Sequence, residues 1–352
     1  MEVTVQEEID ATLRAAPQVV LLGAGASKAA LPHGDANGRQ VPLLRDVATE
    51  LDLASLFPSE LRALAGSDFE AAYSRLHEQG SGQTTEIDAL VREYFAGLEL
   101  PPEPTLYDAL LLSLRGKDAV FTFNWDPFLF QAHLRLQAAG VPGQQLPTIW
   151  FLHGNVAVGH CAEHEQVRGK HGGQCWHCGN PLAPSPLLFP VERKNYQDGS
   201  LIEREWATAQ SYLREAFMVT VFGYSAPVTD VEAKQLLKDA WGDVNDRAIE
   251  QTEIINRPGA DHAALRELWS PFIHTHHYEI GESFWDSWSA NHPRRSLEAF
   301  INQYLEAKFI ENNQVPDDFA TIDELVAWFE PLFAAERTYL ASLHLESKPR
   351  QP

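Results

Sequence analysis

Apolar residues in this chain gather in short unbroken runs rather than alternating with polar ones. Val19-Val-Leu-Leu22, Ala119-Val-Phe-Thr-Phe123, Thr148-Ile-Trp-Phe-Leu152 and Phe217-Met-Val-Thr-Val-Phe222 are apolar or β-branched at consecutive positions. Runs of that length without alternation predict strands buried on both faces, as in a parallel sheet. Glu253-Ile-Ile-Asn256 predicts a further short strand, and His274-Thr-His-His-Tyr278 an edge strand. The stretches between carry helical periodicity. Residues 3–16 read as an amphipathic helix, and residues 31–42, rich in Gly, Pro and Asn, as a loop. Helices are expected at Leu43–Leu53, Ser59–Leu64, Asp68–His77, Thr85–Leu98, Thr105–Leu114, Pro127–Leu136, Leu201–Ala216, Val231–Trp241 and 262–269. Beyond Phe284 the pattern predicts helices at Ser296–Phe309, Ile322–Phe329 and Phe333–Leu345, followed by a disordered tail from Lys348. Strands alternating with helices in this way define an α/β fold.

Polar residues cluster where the runs end. Val19–Leu22 leads into Gly23-Ala-Gly-Ala-Ser27, a turn that would let phosphate approach backbone amides ahead of a helix beginning near Ser27. It lacks the third glycine of the dinucleotide fingerprint, so it also suits a plain strand-to-helix turn. Ala119–Phe123 ends at Asn124 and Asp126, with Pro127 barring continuation of the strand. These two residues would close an Asx turn, or offer an amide and a carboxylate to a ligand at the strand's carboxyl end. Thr148–Leu152 delivers His153, whose titration range suits acid–base work. Phe217–Phe222 leads into Gly223-Tyr-Ser225, with Asp230 beyond it; the second glycine of a nucleophile elbow is absent.

The densest chemical signal is a pair of knuckles, Cys161-Ala-Glu-His164 and Cys175-Trp-His-Cys178, with ten residues between them. Thiolates and an imidazole at two-residue gaps predict a closed, structural zinc site. His160, His171 and His177 compete with His164 for the fourth place. A redox role for free cysteines is the other reading of the same residues. Three cysteines in 352 residues do not suit a disulfide framework.

The net charge of −22 argues against extensive contact with nucleic acid. No apolar run has the length of a membrane span and the N-terminal residues lack a basic region followed by an apolar one, so a cytoplasmic location is expected.

The order of these motifs resembles the sirtuin superfamily over about residues 15–285. The resemblance implies a Rossmann-like parallel sheet with a small zinc-binding module at about 156–192. The expected organisation is a catalytic domain of residues 1–285, with a helical insertion at about 55–115, and a C-terminal helical segment of residues 286–352. By position, Gly23, Ala24, Gly25 and Ser27 would meet the pyrophosphate of NAD. Thr122 belongs to the same motif, with Asn124 on the nicotinamide ribose and Asp126 on the carboxamide. His153 would be the base, and Gly223, Ser225 and Asn256 would line the adenosine half. Phe123 stands where sirtuin deacylases carry Gln, Leu31-Pro-His-Gly-Asp-Ala-Asn-Gly-Arg39 replaces their Pro-Asp-Phe-Arg stretch, and their Phe-Gly-Glu stretch appears only as Phe189-Pro-Val-Glu192. Gly223-Tyr-Ser225 with Asp230 is similar to the sirtuin-like NAD hydrolases of bacterial anti-phage systems. The expected activity is therefore cleavage of NAD⁺ to nicotinamide and ADP-ribose. A protein-lysine deacylase and a nucleotide-sensing or assembly subunit without turnover are the alternatives. An uncontrolled NAD hydrolase would harm its host, so an activating partner or a homo-oligomer formed through the helical regions is expected.

Overall fold

The computed structural model describes residues 2–12, 15–164, 167–189, 201–225, 230–247 and 249–346. Leu13 of the expected first helix, the Pro190–Glu192 end of the expected zinc module, and the tail from Lys348 lie outside these residues.

Six parallel strands form the central sheet. They are β1 (Gln18–Leu22), β2 (Ala119–Thr122), β3 (Thr148–Phe151), β4 (Met218–Phe222), β5 (Gln251–Ile255) and β6 (Tyr278–Gly281), in the order β6-β5-β4-β1-β2-β3. The order is that of the doubly wound Rossmann sheet, with its switch point between β1 and β4. The unbroken apolar runs follow directly from the packing. In β1, Val19 and Leu21 face one apolar cluster while Val20 and Leu22 face another, so every position is buried.

On one face lie α4 (Leu201–Glu215), α5 (Val231–Trp241) and α6 (His262–Trp269), which pack Trp206, Leu213, Leu237, Trp241 and Trp269 onto the sheet. The other face is covered by α1 (Ala24–Ala30), α2 (Leu106–Ser113), α3 (Phe128–Ala138) and the inserted helices Phe69–Glu78 and Gln83–Ala96. The long helix α7 (Ile322–Glu346) joins the same cluster through Leu325, Phe329, Leu332 and Phe333. Residues beyond 285 thus share the core of the insertion.

Several boundaries differ from expectation, each for a physical reason. The first helix covers only Val5–Asp10, closed at its start by a reciprocal Thr4–Glu7 cap. The Leu43–Leu53 stretch breaks into short turns, with Asp52 at a left-handed φ of 52°. His274–His277 closes a turn, with His277 N–H on the His274 carbonyl at 2.8 Å, and the edge strand starts only at Tyr278. Ser296–Phe309 is helical only to Leu305, and its last turn is a π-helix. Ile322–Glu346 continues as one helix through Pro331, because apolar anchors on both sides of the proline bury the same face.

Candidate active site

At the switch point the two glycine turns pack on each other. Gly23 N–H donates to the Phe222 carbonyl and Gly25 N–H to the Gly223 carbonyl, both at 3.0 Å. A Cβ on Gly23 would stand 2.5 Å from Tyr224 Cα, and one on Gly223 would stand 2.2 Å from Ala26 N. Gly223 also has φ of +63°, in the region that glycine alone enters freely. These glycines are therefore required by the close approach of two backbones, and the Gly25 amide is already engaged. α1 begins at Ala24, three residues earlier than the sequence suggested, and brings Ser27 into the interior.

Ser27 is the hub of a buried polar cluster. Its hydroxyl donates to Asp126 Oδ2 at 2.6 Å and lies 2.7 Å from the Tyr107 hydroxyl. Asn124 Nδ2 donates to Ser27 Oγ and to the Gly23 carbonyl, each at 2.9 Å. Thr122 Oγ1 accepts the Asn124 N–H at 3.0 Å and fixes the start of this loop. Asp126 Oδ1 accepts the Phe128 N–H at 3.3 Å, which is the expected Asx turn. Its other oxygen and the Asn124 amide instead reach the turn and helix that follow β1, which an Asx turn alone would not need. Burial pushes the Asp126 carboxyl up to about 6, against the Ser27 hydrogen bond.

His153 lies just beyond β3, 7% exposed, with its ring edge-on to Phe123 at 5.0 Å. Phe123 stacks on Tyr224 at 4.0 Å, so an aromatic wall runs from the end of β3 to the second glycine turn. Asn155 is fully buried and ties the loops together, its amide donating to the Asp126 carbonyl at 2.6 Å. Val156 N–H adds a bond to the Trp125 carbonyl at 3.0 Å. Gly23, Gly25, Ser27, Asn124, Asp126 and Gly223 thus converge at the switch point, with His153 on the neighbouring strand end. Ser225 is exposed, and the Asn256 side chain accepts the Arg257 N–H at 2.8 Å beside β5. Sequence reasoning missed Tyr107 and Asn155 as members of the cluster. Tyr107 carried no signal, since it meets Ser27 from a separate helix, whereas Asn155 stood directly after His153-Gly154.

Past the His153 turn the chain forms a three-stranded antiparallel module of Val158–His160, Arg168–Lys170 and Ala183–Pro184. Its knuckles bring Cys161, His164, Cys175 and Cys178 together, with ligand atoms within 4.8 Å of one another. Cys161 Sγ lies 3.6 Å from His164 Nδ1 and 3.6 Å from Cys178 Sγ, and Cys175 Sγ is 3.8 Å from His164 Nδ1. A tetrahedron with metal–sulfur bonds of about 2.3 Å has edges of about 3.8 Å, so the four donors fit zinc. His164 takes the fourth place, with His177 stacked against it at 4.8 Å. With four protein ligands the site is closed, which suits a structural metal. No other such cluster occurs among the described residues, the histidines at 274–277 included.

No helix among the described residues is long and apolar enough to cross a membrane. No family model and no curated protein matches the chain. Among solved structures, it is similar to a mutant Sir2 homologue in complex with ADP-ribose, at 16% identity and a TM-score of 0.37, covering 94% of this chain and 97% of that one. It is similar to a Sir2 homologue–NAD complex at 14% identity and a TM-score of 0.37, covering 86% and 93%. A Sir2 complex with an inhibitor, 2′-O-acetyl-ADP-ribose and a deacetylated peptide matches at 16% identity and a TM-score of 0.36, covering 82% and 94%.

Proposed function

We propose that the protein cleaves NAD⁺ at the nicotinamide–ribose bond, giving nicotinamide and ADP-ribose. The observation that carries this reading is the buried Ser27–Asn124–Asp126 cluster at the switch point, where doubly wound sheets bind dinucleotides. The motif order, and the resemblance of Gly223-Tyr-Ser225 with Asp230 to the sirtuin-like NAD hydrolases of anti-phage systems, support the same reading. They also support a defensive role in which NAD loss is the effect.

The C–N bond breaks with its electron pair passing to the pyridine nitrogen, so nicotinamide leaves neutral and needs no acid. The demand on the protein is to hold the ribose and shelter the oxocarbenium-like state. In this reading Asn124 orients the ribose and Asp126 accepts the carboxamide N–H. His153 takes the proton from the water that bonds to the ribose carbon. In this reading the Phe123–Tyr224 wall beside His153 would shield the reacting carbon from bulk water. Zinc, held by the three cysteines and His164, would fold the small module and supply no chemistry to this step.

The test is chromatography of NAD⁺ incubated with the purified protein, with and without an acyl-lysine peptide. Nicotinamide and ADP-ribose should form without peptide. Asn124→Ala and His153→Ala should each reduce turnover by at least about 100-fold while the protein stays folded. Undiminished NAD loss in both variants would sink the assignment, and turnover only with peptide would replace it with lysine deacylation.

A further inference from the structure

Helix α2 is fixed at both ends. At its start Asp108 accepts the Thr105 N–H at 2.7 Å and the Arg135 Nε–H at 2.6 Å. At its end Arg294 Nη1 donates to the Leu112 and Leu114 carbonyls at 3.0 and 2.6 Å. Arg294 is itself held by Glu336 of α7, at 2.8 and 2.6 Å. A helix so held leaves Tyr107, 1% exposed, little freedom to move its hydroxyl away from Ser27.

The hydroxyl of Ser27 has one proton and two acceptor sites. The Asn124 amide, a donor, takes one acceptor site. Asp126 and Tyr107 share what remains. When Asp126 is ionised, Ser27 donates to it, Tyr107 donates to Ser27, and every group is satisfied. If Asp126 carried a proton on Oδ2 and donated it to Ser27, the Ser27 proton would turn to Tyr107. The Tyr107 proton would then face the Asn124 amide nitrogen at 3.5 Å, which is also a donor. A proton on Oδ1 would instead oppose the Phe128 N–H. Among the described residues, the other charged groups on the surrounding elements are turned elsewhere or stand apart. Asp108 is taken by Arg135, Lys28 lies 3.4 Å from Gln40, and His153 packs on Phe123.

We infer that Tyr107 is a positioning residue of this site: its hydroxyl commits the single Ser27 proton to Asp126 and so keeps that carboxylate ionised as an acceptor for an amide N–H of the substrate. The substrate clause rests on the NAD-cleavage reading, whereas the proton orientation rests on the hydrogen bonds alone.

The experiment is a titration of the Asp126 side chain in full-length protein carrying ¹³C-labelled aspartate, with Asp126→Asn to identify its signal. Tyr107→Phe should raise the midpoint by about one pH unit, the scale of one lost hydrogen bond. The acid limb of NAD cleavage should move by the same amount. Fluorotyrosine at position 107, a stronger donor of the same shape, should lower the midpoint, and it decides the matter if the Phe variant does not fold. An unchanged midpoint in either substituted protein overturns the inference, because a tyrosine that only packs would leave Asp126 unmoved. Failure of the wild-type protein to cleave NAD⁺ would remove the proposed function, yet the titration would still decide the role of Tyr107.

Discussion

Glu253→Gln should abolish a pH dependence that the wild-type fold carries in its central sheet. Glu253 sits in β5, 2% exposed, with Thr220 Oγ1 donating to one carboxyl oxygen and the Trp288 N–H to the other, both at 2.8 Å. Gln18 bridges Thr220 and Ser289 at 3.0 and 2.9 Å, so the cluster joins the sheet to the chain after β6. Burial pushes the Glu253 carboxyl from 4.5 up to about 7, the two hydrogen bonds pulling the other way. A carboxyl raised in the folded state holds its proton where the unfolded chain has released it. Its effect is therefore absent below pH 4.5, destabilises progressively as pH rises, and levels off above about 7. The span of about two and a half units corresponds to about 3 kcal/mol. A glutamine cannot ionise; its carbonyl still accepts the Trp288 N–H, and its amide donates to Thr220 Oγ1 where the carboxyl oxygen accepted. Urea unfolding followed by tryptophan fluorescence at pH 4 and pH 8 measures the effect. The variant should gain about 3 kcal/mol on the wild type between the two conditions. A stability difference that stays constant from pH 4 to pH 8 would refute the reasoning.

Gly223→Ala should lose more than about 2 kcal/mol in chemical denaturation, since strain at positive φ adds to a backbone collision at the switch point. Gly38→Ala, at φ of +78° with open space around the added carbon, is the control for strain alone, and equal losses would discount the collision. Elemental analysis of the purified protein should find about one zinc per chain. Cys175→Ser should eliminate it and expose the small module to proteolysis, whereas a metal-free wild type that is indifferent to chelators would contradict the assignment.

The strands were legible because a sheet covered on both faces demands apolar residues at every position, and four runs in the chain have that composition. The zinc ligands were legible because local spacing alone sets their geometry. Strand order was not, since parallel strands are placed by their crossovers and not by their own residues. The place of Ser27 in a buried cluster was equally hidden, because its partners lie 80 and 99 residues away in sequence. Pro331 misled in the opposite direction. Its local effect is to interrupt a helix, but Phe329 and Phe333 hold both halves on one core. His274–Tyr278 read as strand through its alternation, and a left-handed Thr275, at φ of 50°, turned the chain before the pairing began.

The outer edge of the sheet at β3 has a further consequence, for self-association. An edge strand presents unpaired N–H groups on which a second polypeptide can add. Here the Phe151 N–H is occupied by the Glu205 carboxylate at 2.7 Å, and Arg168 of the zinc module binds that carboxylate while lying 4.0 Å above the Trp150 ring. A second polypeptide adding at Phe151 would have to displace Glu205 from that N–H and break its bond to Arg168. The small module thus opposes edge-to-edge pairing at this position, independently of anything it contributes to the neighbouring site.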